Sequence, residues 1–181
     1  ENFDLYRDIF KKFGLGSSTG IDLENESFGI TGDTIAADLL LNLSIGQYDT
    51  YTPIMLNNYI STIANSGIRY NMSFGAYFIN NKGNRESIDK LVLDRVKISN
   101  DDMLRIQKGL NGVVTYGTAS NYLNRINGAG KTGTSETYVN GHKTLTKSFV
   151  AYLPFDNPKY NLTIVSPNLV DSNNKNKYLF D

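Results

Sequence analysis

The sequence predicts an α+β fold, an antiparallel sheet flanked by helices. Two patterns carry that prediction. Helix-spaced apolar residues with capping signals recur up to residue 123, and apolar runs separated by turn residues follow from residue 129. A chain of 181 residues, 40% hydrophobic and 20% charged, also has the length and composition of one soluble globular domain.

The elements are justified in chain order. Phe3, Leu5, Tyr6, Ile9, Phe10 and Phe13 fall at helical spacing, and Gly14 suits the end of that helix. Phe13 to Leu23 is a loop punctuated by glycines, with neither a phosphate-loop lysine nor GxGxxG. Leu39 to Leu43 is a short apolar run ending at Ser44-Ile45-Gly46-Gln47. Thr52-Pro53 reads as an N-cap followed by proline at the first helical position, and Asn65-Ser66-Gly67 stops the helix it opens. Its stripe of Ile54, Met55, Leu56, Tyr59, Ile60 and Ile63 is read as core. Residues 68–98 form a β-rich excursion with a turn at Asn80-Asn81-Lys82-Gly83. Ser99 caps the next helix, with Asp101 and Asp102 favourably placed in its first turn and Met103, Ile106, Leu110, Val113 and Val114 on its buried face. Gly117-Thr118-Ala119 breaks the pattern before a short helix through Leu123. A strand containing Lys131, then Thr146 to Leu153 and Tyr160 to Ser166, make an antiparallel meander turned at Pro154 to Pro158. The polar tail Ser172 to Lys177 is expected to fray.

Composition excludes several functions. Net charge is zero and no basic cluster or basic–aromatic stripe occurs, so no nucleic-acid partner is expected. Cysteine is absent, which rules out disulfides and thiolate metal sites. The single histidine, His142, sits in a turn, so neither a histidine triad nor a metal site is expected, and no cofactor. No segment approaches 18 apolar residues. Glu1 follows no initiator methionine, so we expect a processed or excised piece.

The stretch Gly128-Ala129-Gly130-Lys131-Thr132-Gly133-Thr134-Ser135 carries the chemistry. Strand alternation sends Lys131 and Gly133 to one face and Thr132 and Thr134 to the other. Gly133, without a side chain, lets a ligand lie close to the backbone. A cation, hydroxyls and free strand-edge N–H groups suit an anionic, acyl-bearing ligand. Lys-Thr-Gly alone also fits an ordinary strand opening with Lys131 in solvent.

Four stretches, in this order, resemble the C-terminal half of a class B penicillin-binding protein transpeptidase domain. They are Phe13-Gly14-Leu15-Gly16 with Thr19-Gly20-Ile21-Asp22-Leu23; Ser44-Ile45-Gly46-Gln47 with Thr52-Pro53; Val113-Val114 with Gly117-Thr118-Ala119; and Ala129 to Thr134. Asp156-Asn157-Pro158-Lys159-Tyr160 is similar too. The resemblance implies the penicillin-binding transpeptidase and serine β-lactamase-like fold. It also implies a serine acyl-transfer enzyme, a D,D-transpeptidase, that cross-links peptidoglycan peptides and is acylated by β-lactams. On that reading Lys131 assists proton transfer and holds substrate, and Thr132, Gly133 and Thr134 bind the terminal carboxylate side of the ligand. The Thr134 backbone N–H is one oxyanion donor, a contribution of about 3 kcal/mol. Gly46 and Gln47 support the site. The implied partners are a stem peptide ending in D-Ala-D-Ala, β-lactam antibiotics and other cell-wall synthesis proteins. The implied location is the external face of the bacterial cytoplasmic membrane, with an anchoring helix upstream.

One departure is large. In the family, Ser-x-x-Lys and Ser-x-Asn precede the Phe-Gly-x-Gly loop, which here begins near the N-terminus. Ser87-Ile88-Asp89-Lys90 and Ser172-Asn173-Asn174-Lys175 match literally but stand in polar, turn-like contexts downstream, so we reject them. Residues 1–181 are therefore expected to be the C-terminal part of a transpeptidase domain, lacking its nucleophile and inactive alone, with apolar surface exposed. A β-lactam sensor, a β-lactamase and a non-catalytic module of the same fold are the alternatives.

Overall fold

The computed structural model describes residues 2–170, so the predicted tail Ser172 to Lys177 and its Ser-x-x-Lys match lie outside the described residues. The architecture is α+β, as expected. Helices α1 (Asn2–Lys12), α2 (Ala37–Ser44) and α3 (Pro53–Ala64) come first. The excursion then contributes β1 (Ile68–Tyr70), β2 (Tyr77–Ile79), β3 (Arg85–Ser87) and β4 (Val92–Arg95). After α4 (Asn100–Thr115) and α5 (Ser120–Leu123) come β5 (Ala129–Val139), β6 (His142–Leu153) and β7 (Tyr160–Leu169). These last three form an antiparallel sheet in the order β5-β6-β7, while β1 pairs with β4 and β2 with β3.

Local chemistry sets the boundaries. The Thr52 hydroxyl accepts from Met55 N–H at the start of α3, with Pro53 in the first turn. The Ser99 hydroxyl does the same for Asp102 N–H at α4. Two expected strands are longer than predicted. β6 begins at His142 rather than Thr146, because Asn140 and Gly141 both take positive φ (51° and 77°) and close a two-residue hairpin. β7 runs past Ser166 through Pro167 to Leu169, which an edge strand with a register shift opposite Leu145/Lys147 tolerates. The apolar run at Leu39 to Leu43 is helical and belongs to α2.

The meander buries two faces against different partners. Ala129, Val150 and Tyr152 pack with Ile60 and Ile63 of α3 and Met103 and Leu110 of α4. On the opposite face Phe149 and Ala151 pack with Ala119, Val113 and Leu123. α4 feeds both clusters, which fixes it beside the start of β5. Ile106, predicted on the buried face of α4, is 39% exposed. Apolar surface is exposed as expected, including Leu162 and Ile164 on β7 and Leu5 and Ile9 on α1. No helix among the described residues is long and apolar enough to cross a membrane.

Candidate active site

β5 is an edge strand, and its first half is where three separate segments meet. Asn111 Nδ2 of α4 donates to Gly128 O at 2.7 Å, fixing the approach to the strand. The Thr118 and Thr132 hydroxyls lie 3.1 Å apart. Gln47 Nε2 donates to Thr134 O at 2.9 Å, across 87 residues of sequence. Lys131, whose side chain is exposed, donates from Nζ to Thr132 O at 2.6 Å.

Those bonds give the direction of the backbone. In an antiparallel strand a residue's N–H and C=O point to the same side, and every second residue repeats that direction. The Thr132 and Thr134 carbonyls are both taken by side chains rather than by β6. Their N–H groups therefore also point away from the sheet, toward the open edge. The strand thus presents two outward amide donors, a hydroxyl pair and an ammonium within four residues. An anion or a developing oxyanion laid along this edge meets donors already fixed in place.

Gly133 serves packing as well as access. A side chain there would run into Ser148 Oγ on the neighbouring strand, so the protein's own hydroxyl occupies the bare position on that face. Behind this face lies a cavity of about 450 Å³, lined among others by Gln47, Tyr51, Leu56, Gly133, Ser135 and Ser148. Burial pushes the Tyr51 phenol up to about 12, so it stays a neutral hydroxyl at physiological pH.

Gly46 does not touch the strand; it turns the chain so that Gln47 can. At the end of α2, Gly46 N–H donates to Leu43 O at 3.0 Å and Gln47 N–H to Asn42 O at 2.8 Å. This is a Schellman ending, whose left-handed residue is Gly46 with φ 81°. Downstream, Asp49 is clamped. Arg7 Nε and Nη2 each donate to its carboxylate at 2.8 Å, and Gly32 N–H donates at 3.0 Å. Burial raises the Asp49 carboxyl, and the Arg7 and Gly32 bonds more than reverse that, holding it below the usual range. Thr50 exchanges backbone bonds with Ile30 at 2.9 and 3.1 Å. Residues 45–51 form an arm fastened at both ends.

The remaining sequence candidates fall elsewhere. Ser87-Ile88-Asp89-Lys90 spans the end of β3 and the irregular segment after it, exposed and not at a helix start. His142 opens β6, also exposed. Sequence reasoning assigned no site role to Thr118, read as part of a helix-breaking tripeptide and of the family resemblance, nor to Ser148. It also missed the Arg7–Asp49 clamp, which no local pattern could reveal across 42 residues.

Comparisons with known proteins point to one family. The family described as Penicillin binding protein transpeptidase domain matches residues 3–178. The chain is 37% identical to Penicillin-binding protein 2A of Bacillus subtilis over 180 residues, covering 91% of this chain and 25% of that protein. It is 36% identical to Penicillin-binding protein 2B of Streptococcus pneumoniae over 175 residues, covering 89% and 26%. The solved structure of penicillin-binding protein 2B from Streptococcus pneumoniae strain R6 superposes with a TM-score of 0.79 at 34% identity, covering 94% of this chain and 30% of that one. Penicillin binding protein 3 from Mycobacterium tuberculosis, complexed with aztreonam, gives 0.74 at 25% identity, covering 92% and 40%. The chain spans about a quarter of the length of the curated relatives it matches.

Proposed function

This chain belongs to the penicillin-binding protein transpeptidase domain family, and we propose that the protein containing it cross-links peptidoglycan peptides through a serine acyl-enzyme. Residues 1–181 form the C-terminal part of that domain and supply one wall of its active site. The observation that carries the reading is the open edge of β5, with the Thr132 and Thr134 amides directed outward beside Lys131.

Each residue has a role on this reading. The Thr134 N–H receives the charge that develops on the attacked carbonyl oxygen. The Thr132 and Thr134 hydroxyls bind the terminal carboxylate of a D-Ala-D-Ala peptide or of a β-lactam, Thr132 steadied by Thr118. The Lys131 ammonium adds electrostatic attraction for that carboxylate and supports proton transfer at the serine. Gly133 keeps the strand flat enough for ligand and Ser148 to lie on its two sides. The nucleophilic serine is not among these 181 residues on this reading, since both Ser-x-x-Lys matches follow the Phe-Gly-x-Gly loop in the sequence and Ser87 does not open a helix. The segment alone is inactive, and the whole protein works at the external face of the cytoplasmic membrane alongside other cell-wall synthesis proteins.

Intact mass after incubation with a penicillin tests this. An adduct on the whole protein, absent from residues 1–181 alone, is the expected result. An adduct on the 181 residues would overturn the placement of the nucleophile. No adduct on either would leave a non-catalytic module, and rapid turnover of the adduct would favour a β-lactamase.

A further inference from the structure

We infer that Gln47 is a positioning residue for the oxyanion site, acting through the carbonyl of the very residue whose N–H does the work. The inference rests on the transpeptidase reading above and adds a role that the β5 motif does not contain.

An edge strand has no neighbour on its open side to hold its peptide planes. Amides there librate more freely than those paired on both sides, and an oxyanion donor is effective only when its direction is set beforehand. Gln47 supplies the missing restraint. Its Nε2 donates to Thr134 O at 2.9 Å from the open side, holding the peptide plane that joins at the Thr134 Cα the one carrying the outward Thr134 N–H. The restraint is stiff because the arm carrying Gln47 is stiff. The Schellman turn at Gly46 sets where the arm leaves α2, and Arg7 with Gly32 holds Asp49 two residues after Gln47. Arg7 itself lies against two rings that pack edge to face, 5.5 Å from the Phe3 centroid and 5.9 Å from that of Tyr48. A line of contacts therefore runs from α1 through Arg7, Asp49 and Gln47 to the amide that stabilises the reacting oxygen.

The chemistry at residue 47 is specific. An amide side chain donates, whereas an isosteric carboxylate offers only lone pairs to a carbonyl oxygen. Gln47→Glu therefore removes the restraint without changing volume, and Gln47→Ala removes it without adding charge. Neither should disturb the fold, since the side chain is partly exposed and lies at the sheet edge and the open cavity beside it.

The test is pre-steady-state acylation of the whole protein by a fluorescent penicillin, resolving the non-covalent dissociation constant from the acylation rate constant. Both variants are expected to lower the acylation rate constant about tenfold, the effect of one lost hydrogen bond at its upper range, with the dissociation constant within about twofold of the parent and an unchanged melting temperature. An unchanged acylation rate constant in Gln47→Ala would overturn the inference while leaving the transpeptidase reading intact. A parallel loss of acylation, binding and melting temperature would assign Gln47 a structural role only and would overturn it as well. Failure of the parent protein to acylate would remove the reading itself, and the inference with it.

Discussion

The hairpins β2–β3 and β5–β6 share a plan and are held by different forces. Each is antiparallel and each turns on Asn and Gly. In β5–β6 the strands are 11 and 12 residues long and one end is buried, with Tyr152 only 1% exposed. In β2–β3 the strands have three residues each, all exposed, including Tyr77, Phe78 and Ile79. What holds the small hairpin is polar and local. Asn80 Oδ1 accepts from Lys82 N–H at 2.9 Å and Asn84 N–H at 3.0 Å, and Arg85 lies 4.5 Å over the Tyr77 ring. Asp22 reaches across from the glycine-rich loop to accept from Phe74 N–H at 2.7 Å and Gly75 N–H at 2.9 Å. One hairpin is an outcome of burial; the other is tied on.

The contrast breaks most visibly at Tyr152. Tyr152→Ala opens a cavity between α3, α4 and the sheet and is expected to cost about 3–5 kcal/mol in chemical denaturation, the range for large aromatic truncations. The matching change in the other hairpin, Phe78→Ala, should leave the denaturation midpoint nearly where it was. Equal losses would mean that β2–β3 is also a core element.

Next in size is a functional effect confined to β5. Proline is tolerated on an edge strand where its missing N–H faces outward, so Thr134→Pro should fold while losing both the amide proposed as oxyanion donor and the hydroxyl proposed to hold the carboxylate. Acylation of the whole protein by penicillin should fall about 10²- to 10³-fold. A variant that fails to fold would show instead that the Thr134 amide is paired within the sheet.

A smaller effect separates the hairpins by pH. The bonds from Phe74 and then Gly75 and Ser73 lower the Asp22 carboxyl to about 2 from an ordinary 3.8. A carboxyl lowered on folding stabilises above its unfolded value and stops doing so as pH falls through its folded one. The tie is thus intact above about pH 4 and released between about 4 and 2. Hydrogen exchange should show the Phe74 and Gly75 amides losing protection in that window, relative to β5–β6 amides, and Asp22→Asn should bring the loss to neutral pH. The smallest effect belongs to Lys143 and Glu136, paired at 2.6 Å on the exposed end of β5–β6. Lys143→Ala should leave the melting temperature unchanged within error.

Legibility in the sequence followed the same division. The caps at Thr52 and Ser99 and the meander could be read because each rests on neighbouring residues and on burial, which imposes periodicity. The site strand could be read because Lys131, Thr132, Gly133 and Thr134 are contiguous. The pairing of β1 with β4 left no pattern, since strands of three and four residues are too short to impose one. Nor could Gln47 be tied to Thr134, or Arg7 to Asp49, because those bonds depend on elements packed by the whole fold. Gly46 was singled out as support near the site; in the structure it is a left-handed helix ending, a feature of its own backbone that no neighbouring residue announces.

The arm at residues 45–51 has a consequence for how the protein acquires its shape. The meander joins strands that follow one another, so its pairings close short loops of chain. The bond from Gln47 to Thr134 closes 87 residues, with an entropic cost that grows with the logarithm of that length and must be met before the contact gives anything back. Strand pairing is therefore expected to come early and the arm to dock late, after both α2 and β5 exist. A newly made chain would hold its sheet before the proposed oxyanion amide was set, and, on the proposed function, the whole protein would gain reactivity toward penicillin only at the last stage of folding.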